Sequence, residues 1–253
     1  MELREVHITR YVTPLREGGS LPAIAEADDA FLYVLKFRGA GQGPKALVAD
    51  LIGGEIARKL GLRVPELVLA WLDDSFGKTE PDEEIQDLLK FSTGLNLGVH
   101  YLSGAITFDP VLHGISEELA SRIVWLDAFL TNVDRTAKNT NMLMWHRELW
   151  LIDHGASLYF HHNWDTWEKQ ALSSFKAIKD HVLLKHAAGL EEADTRAKEI
   201  LTDAFIDELM AAIPAQWLVE ENDRQVYGDF LKIRLKNSEI FVKEARDARE
   251  ALV

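Results

Sequence analysis

The sequence contains no cysteine, which excludes disulfide frameworks and thiolate metal sites. It also has no apolar run near the roughly 20 residues needed to span a bilayer, and no signal-peptide pattern. Basic residues are outnumbered, with 28 Lys and Arg against 41 Asp and Glu, and the formal net charge is −13. This balance argues against a broad nucleic-acid or anionic-membrane surface. We therefore expect a cytoplasmic protein that binds neither nucleic acid nor membranes and holds any polyanionic ligand with a few placed cations.

Apolar residues, by contrast, make up 47% of the 253 residues, enough for one large domain or two small lobes around a shared core. Short alternating or continuous apolar segments predict strands early in the chain, and longer periodic segments predict helices later. Strands are predicted at residues 6–12, 21–26, 31–37, 66–72 and 97–102, and helices at 44–60, 85–91, 195–213 and from 116 and 217 onward. This pattern predicts an α+β fold.

The strand at residues 31–37 carries one cation, Lys36, and a helix follows it from Pro44 to a stop at Gly61. At 100° per residue, Glu55 falls near the centre of the apolar stripe of this helix. A buried carboxylate needs a cationic partner, so we predict a pair between Lys36 and Glu55. The alternative is a local pair between Glu55 and Lys59, one turn apart.

Acidic and amide side chains are concentrated between residues 132 and 155. The order Asp134, Asn139, Asp153 is typical of kinases, which place an Asp in a catalytic loop, an Asn five residues on and another Asp after the next strands. Carboxylate and amide oxygens are the ligands that Mg²⁺ prefers. Polar loop residues can also simply cap turns, but the three together at this spacing favour a functional site.

Two short apolar runs, residues 142–145 and 149–152, predict a β-hairpin within this stretch. A turn centred on Arg147 would place Asn141 opposite Asp153, with Asn139 just beyond the pairing. Asp134, Asn139, Asn141 and Asp153 would then share one rim. The register allows either Asn139 or Asn141 as a metal ligand.

Two further groups of residues are ambiguous. Gly18, Gly19 and Ser20 lie between predicted strands, where they could fold backbone N–H groups over a phosphate or form an ordinary hairpin turn. His154 and His161, near His162, could suggest zinc, although adjacent histidines on an extended segment would point to opposite faces.

With these residues laid out, the sequence resembles the HipA-like kinase family of bacteria. The matching blocks cover most of residues 7–165 and include ITRYVTPLREGGSLPA, YVLKFRGAGQGPKALVADLIGGEIARKLG and IVWLDAFLTNVDRTAKNTNMLMWHRELWLIDHG. The resemblance implies a bilobal kinase fold, with a small β-rich N-lobe containing one helix (residues 1–103) and a larger, mostly helical C-lobe (104–253).

The resemblance also implies an activity and a role for each residue. The family's cofactors are ATP and Mg²⁺, and the acceptor is a hydroxyl, expected here on a protein Ser or Thr. Lys36 would contact the phosphates, Asp134 would be the catalytic base, and Asn139 and Asp153 would hold magnesium. Three further residues, Gly18, Gly19 and Ser20, would lie in the phosphate-binding loop.

Other functions are compatible with the sequence. A catalytically silent ATP-binding scaffold would keep the same fold without turnover. A small-molecule kinase acting on a sugar, an antibiotic or a lipid headgroup would use the same residues, and the acidic composition would suit a cationic acceptor. A metal-dependent hydrolase using His154 and His161 would contain zinc.

Overall fold

A computed structural model describes residues 2–15, 21–41, 43–76, 82–220 and 222–252 of the chain. It has an α+β fold, as predicted. The part of the chain in these ranges includes no helix that is both long enough and apolar enough to cross a membrane.

The first half of the chain forms a closed five-stranded barrel in the order β1-β2-β3-β5-β4. Alternate residues of β2 and β3 are buried, as expected for strands with one face toward a core. Small side chains such as Ala23, Ala25 and Ala27 are fully or almost fully buried and line the barrel core. The strands are β1 (Glu5–Pro14), β2 (Ala23–Ala27), β3 (Leu32–Lys36), β4 (Leu67–Leu72) and β5 (Gly94–His100).

Helix α1 (Pro44–Lys59) connects β3 to β4, begins at the predicted residue and ends one residue before the predicted end. Pro44 is its first residue, and Gly61, at φ +74°, follows its end in the left-handed region that glycine adopts without strain. Every residue from 47 to 57 is buried, so α1 contacts protein on all sides. A second helix, α2 (Glu83–Phe91), precedes β5 and is capped by the side chain of Asp82.

A second sheet contains β6 (Ile106–Thr107), β7 (Met142–Trp145) and β8 (Glu148–Leu151). The predicted hairpin exists, but its register differs by one residue. Trp145 pairs with Glu148, so the turn contains His146 and Arg147 rather than three residues, and Asn141 faces Ile152 instead of Asp153. Both turn residues have positive φ, 49° and 66°, which is the signature of a type I′ turn.

The rest of the chain is helical, joined by short 3₁₀ turns. The first of these helices begins where predicted, and Ser116 caps it by accepting a hydrogen bond from the Leu119 N–H group. The single helix predicted over residues 195–213 is instead two helices, because Thr202 caps a new start. The helices are α3 (Glu117–Leu130), α4 (Trp167–Ala171), α5 (Leu190–Ile200), α6 (Asp203–Ala212), α7 (Asp223–Lys236) and α8 (Glu239–Glu250).

Two buried apolar clusters hold these elements together. One fills the barrel. The other continues from α1 and the outer faces of β4 and β5 into α3 and the C-terminal helices. Trp217 joins the two regions, because its buried indole N–H donates to the Leu95 carbonyl of β5 at 3.0 Å. Helix α1 is therefore packed between the barrel and the helical layer.

Candidate active site

Lys36 lies at the end of β3, where its amine meets two carboxylates. The Nζ atom is 2.6 Å from Asp50 Oδ2 and 2.7 Å from Asp153 Oδ1. The lysine side chain is only 13% exposed. Burial alone would lower the pKa of this amine, but the charges of Asp153 and Asp50 outweigh it and raise the pKa above its ordinary value. Lys36 is therefore a fixed positive charge beside Asp153, which is 117 residues away in sequence.

The predicted pair between Lys36 and Glu55 is wrong. Glu55 Oε1 instead lies 3.3 Å from Arg58 Nε on the same helix, and Lys36 uses Asp50. Asp50 and Glu55 are five residues apart, so they project about 140° apart around a helix. Because α1 is buried on all sides, an apolar stripe could not indicate which of its faces looks toward β3.

Asp50 is a buried partner of Lys36 that the sequence did not predict. Its side chain is 5% exposed, and its Oδ1 accepts a hydrogen bond from the His154 N–H group at 2.7 Å. Burial raises the pKa of Asp50 to about 6, although Lys36 opposes this shift. Asp50 therefore bridges Lys36 to the backbone of the Asp153–His154–Gly155 segment.

Two glycines allow helix α1 and the Asp153–His154–Gly155 segment to approach each other closely. A Cβ atom on Gly53 of α1 would lie 2.5 Å from the His154 Cβ atom, and a Cβ on Gly155 would lie 3.0 Å from Asp50 Oδ2. The glycine pair at positions 53 and 54, one turn after Asp50, is the sequence signal that could have identified this face of α1.

Asp134 lies in the loop between α3 and β7, together with both candidate asparagines. Its Oδ2 atom accepts hydrogen bonds from Asn139 Nδ2 at 2.8 Å and from Asn141 Nδ2 at 3.1 Å. Each amide therefore directs its nitrogen toward Asp134, and its oxygen is the atom that a cation could use. Both asparagines belong to one cluster, so the geometry does not choose between them as a ligand.

The hairpin connects the Asp134 cluster to the Lys36 group. Asn141 immediately precedes β7, and its carbonyl accepts the Ile152 N–H group at 3.0 Å. Asp153 is the next residue after Ile152, so both clusters lie at the open end of the hairpin. Coulombic attraction to Lys36 lowers the pKa of Asp153, which keeps this carboxylate ionised.

His154 and His161, the two histidines considered as zinc ligands, are both buried. Burial lowers the pKa of His154 to about 3, and likewise that of His161, whose Nδ1 lies 3.0 Å from the Tyr227 hydroxyl. His161 and His162 occupy one 3₁₀ turn, Tyr159–His162, rather than the extended segment assumed from the sequence. Within the ranges given above, no three His, Asp or Glu side chains are placed to hold a metal ion. The predicted phosphate-loop residues Gly18, Gly19 and Ser20 lie outside those ranges.

Three comparisons with known proteins bear on this site. A family model described as HipA-like kinase matches residues 8–240. Among solved structures, the chain is similar to a proinflammatory kinase, CtkA, from Helicobacter pylori, with a TM-score of 0.59, 13% identity and 100% of each chain covered. No curated protein matches the sequence.

The structural likeness, at this identity, establishes the shared fold. The family match establishes more, because it spans the barrel, helix α1, the Asp134 loop, the hairpin and most of the helical layer. The chain belongs to the HipA-like kinase family.

Proposed function

We propose that this protein transfers a phosphoryl group from Mg-ATP to a hydroxyl, expected on a protein Ser or Thr. The observation that carries the proposal is the contact between Lys36 and Asp153, formed at the same hairpin end as the cluster of Asp134, Asn139 and Asn141. One amine and several carboxylate and amide oxygens thus lie at the same end of the hairpin. Phosphoryl transfer depends on this kind of positioning and charge neutralisation.

Each residue has a role in the proposal. Lys36 binds the nucleotide phosphates with an amine that Asp50 holds in place. Asp134 accepts the proton of the acceptor hydroxyl and orients it for attack. Asp153, with an amide oxygen of Asn139 or Asn141, supplies ligands of the type that suits Mg²⁺. The metal, when bound, neutralises charge on the phosphates.

The proposal includes a division of the fold into two lobes, residues 1–103 and 104–253, with the nucleotide between them. The closed barrel with α1 forms the first lobe, and the helical layer with the β6–β8 sheet forms the second. Lys36 comes from the first lobe and Asp134 and Asp153 from the second. This is the arrangement that brings phosphate and metal ligands to one cleft in kinases.

The test is phosphate transfer by the purified protein with radiolabelled ATP, Mg²⁺ and a mixture of protein and small-molecule acceptors. Asp134→Asn and Asp153→Ala should each reduce the rate by about 10²–10⁴-fold, because one loses the base and the other a metal ligand. Asp87→Asn, at an exposed aspartate of α2, is the matched control and should keep full activity.

The possible results separate the alternatives. Full activity in either Asp134→Asn or Asp153→Ala would contradict the assigned roles. Thermal stabilisation by ATP without turnover on any acceptor would identify a silent scaffold, since binding to the native state alone stabilises it. Transfer only to small molecules would replace the protein acceptor in the proposal.

A further inference from the structure

Behind the Asp134 loop, buried polar side chains form a continuous hydrogen-bond network. Its members are Asp127 at the end of α3, Asn132 and Arg135 in the loop, and His181 from the segment before α5. Their exposures are 0%, 3%, 1% and 8%. Such groups are costly to bury unless they are hydrogen-bonded, and in these four side chains every nitrogen and oxygen except Arg135 Nη2 has a partner, so the network has a defined geometry.

Asp127 is the centre of this network. Its Oδ1 atom accepts from Asn132 Nδ2 at 2.8 Å, and its Oδ2 atom accepts from Arg135 Nε at 2.6 Å and His181 Nε2 at 2.9 Å. The His181 tautomer is fixed, because Leu183 N–H donates to Nδ1 and leaves the proton on Nε2. Burial would raise the pKa of Asp127, but Arg135 and His181 lower it below its ordinary value.

Two connections lead from Asp127 to the reacting groups. On one side, Asn132 Oδ1 accepts the backbone N–H of Asp134 at 3.1 Å. On the other side, Arg135, whose Nε bonds Asp127, donates through its Nη1 atom to the carbonyl of Asn141. Asn141 in turn donates to the Asp134 carboxylate. The backbone of Asp134 and the start of β7 are thus held by one carboxylate.

An apolar cluster of the same volume could stabilise this region equally well, since buried ion pairs are rarely worth more than good packing. What a polar network adds is a fixed direction for each group. Here the fixed groups are the proposed base and a proposed metal ligand, which must keep their separation during transfer.

We propose that Asp127 is a positioning residue for phosphoryl transfer, acting through Asn132 on Asp134 and through Arg135 on Asn141. His181 sets the orientation of the carboxylate from a distant part of the chain. The inference rests on the proposed function. Asp127 itself contacts no reacting group, and removing it would leave the Arg135 charge buried without a partner, so its neighbours make better test sites.

The first test compares Asn132→Ala with Ser121→Ala. Ser121 is buried like Asn132 but lies on α3, where its hydroxyl accepts a hydrogen bond from the Gly189 N–H group at 2.9 Å. Ser121→Ala therefore removes one buried hydrogen bond to a backbone N–H group, away from the Asp134 loop. Asn132→Ala should lower kcat about 10- to 100-fold, the usual effect of losing an outer-shell partner. The KM for ATP should stay unchanged, because Lys36 and Asp50 remain intact. Ser121→Ala should keep the wild-type kcat.

The second test replaces His181. His181→Gln can still donate to Asp127 through its amide, whereas His181→Phe cannot. The Gln variant should therefore retain kcat, and the Phe variant should lose it to the same extent as Asn132→Ala. Equal kcat in the two His181 variants, or wild-type kcat in Asn132→Ala, would overturn the inference.

Amide hydrogen exchange at Asp134 separates failure of this inference from failure of the proposed function. Asn132→Ala should accelerate exchange of the Asp134 amide, while Ser121→Ala should leave it unchanged. An unchanged exchange rate in Asn132→Ala overturns the positioning role. A wild-type protein without any phosphate transfer overturns the proposed function instead, whatever the exchange rates are.

Discussion

Asp50 can be tested against Glu55, because both are buried carboxylates of α1 and only one contacts Lys36. Asp50→Asn should raise the KM for ATP and lower kcat/KM about tenfold or more, since Lys36 loses a charged partner and the His154 N–H group a carboxylate. Steady-state phosphate transfer at varied ATP measures this effect.

Glu55→Gln is the matched control and should change kcat/KM little, since Glu55 bonds Arg58 on its own helix. If Glu55→Gln impaired ATP use more than Asp50→Asn did, the contacts around Lys36 would not describe the working enzyme. Circular dichroism of both variants checks that each is folded.

At this scale, the sequence could place Asp134, Asn139 and Asp153 near one end of a hairpin, but it could not identify Asp50 as the partner of Lys36. The order Asp134, Asn139, Asp153 follows from one local loop and one hairpin, so the sequence contains the information. Asp50 meets Lys36 and the His154 N–H group only because α1 packs between the barrel and the helical layer. Its position within a fully buried stretch of helix does not indicate which way its side chain points.

Helix α1 depends on close contact with the segment that follows β8. Gly53→Ala would place a Cβ atom 2.5 Å from the His154 Cβ atom, so the segment carrying Asp153 must shift. We expect a loss of about 1–3 kcal/mol in the free energy of unfolding, typical of overpacking, and a marked fall in phosphate transfer.

Gly54→Ala is the control for this prediction. The nearest atom to its added Cβ is Leu67 Cδ1 at 2.7 Å, the far end of a flexible side chain that can rotate away. Both changes gain about 1 kcal/mol of helix propensity, so that term cancels in the comparison. Urea unfolding and activity assays of both variants give the result, and equal activity loss would contradict a special role for the Gly53 contact.

The existence of most strands and helices was predicted better than the strand register and the helix boundaries. The five barrel strands follow from apolar patterning, and α1 follows from the signals at Pro44 and Gly61, whereas the short strand β6 was not predicted. The hairpin register was wrong by one residue because His146 and Arg147 both adopt positive φ, although the sequence has none of the Gly, Asn or Asp residues typical of a two-residue turn there. The break at Thr202 was missed because the apolar period continues across it, although Thr is a good helix cap.

On the scale of the whole molecule, the barrel and the helical layer are joined by contacts between distant residues. Trp217 and Leu95 are 122 residues apart, and Arg234 of α7 donates to the carbonyls of Ala128 and Phe129 at the end of α3. Arg234 has no carboxylate partner in these bonds, and burial lowers its pKa to about 9. Local patterns of a single sequence contain no record of such pairings, so the sequence predicts helices here but not their arrangement.

The buried side chain of His161 should make the free energy of unfolding depend on pH. The pKa of His161 is about 3 in the folded protein because of burial, compared with an ordinary value of 6.5. As the pH falls below 6.5, the unfolded chain binds a proton that the folded protein does not bind, so stability declines until the pH reaches the folded pKa. At pH 5 this loss is about 2 kcal/mol relative to pH 7.

Other groups contribute to the same curve, so a difference between variants is the cleaner measurement. Asp50 acts in the opposite direction, because its pKa is raised to about 6 and its protonation favours the folded state between pH 6 and 4. His161→Phe removes one titrating group and leaves Asp50 in place. Its deficit in unfolding free energy at pH 7, where the Tyr227 hydroxyl loses a partner, should shrink by about 2 kcal/mol at pH 5.

Denaturant unfolding of the wild type and His161→Phe at pH 7 and pH 5 measures the two differences needed. If the His161→Phe deficit were independent of pH, His161 would not be held neutral by burial, and its contact with Tyr227 would not describe the folded protein between pH 5 and 7.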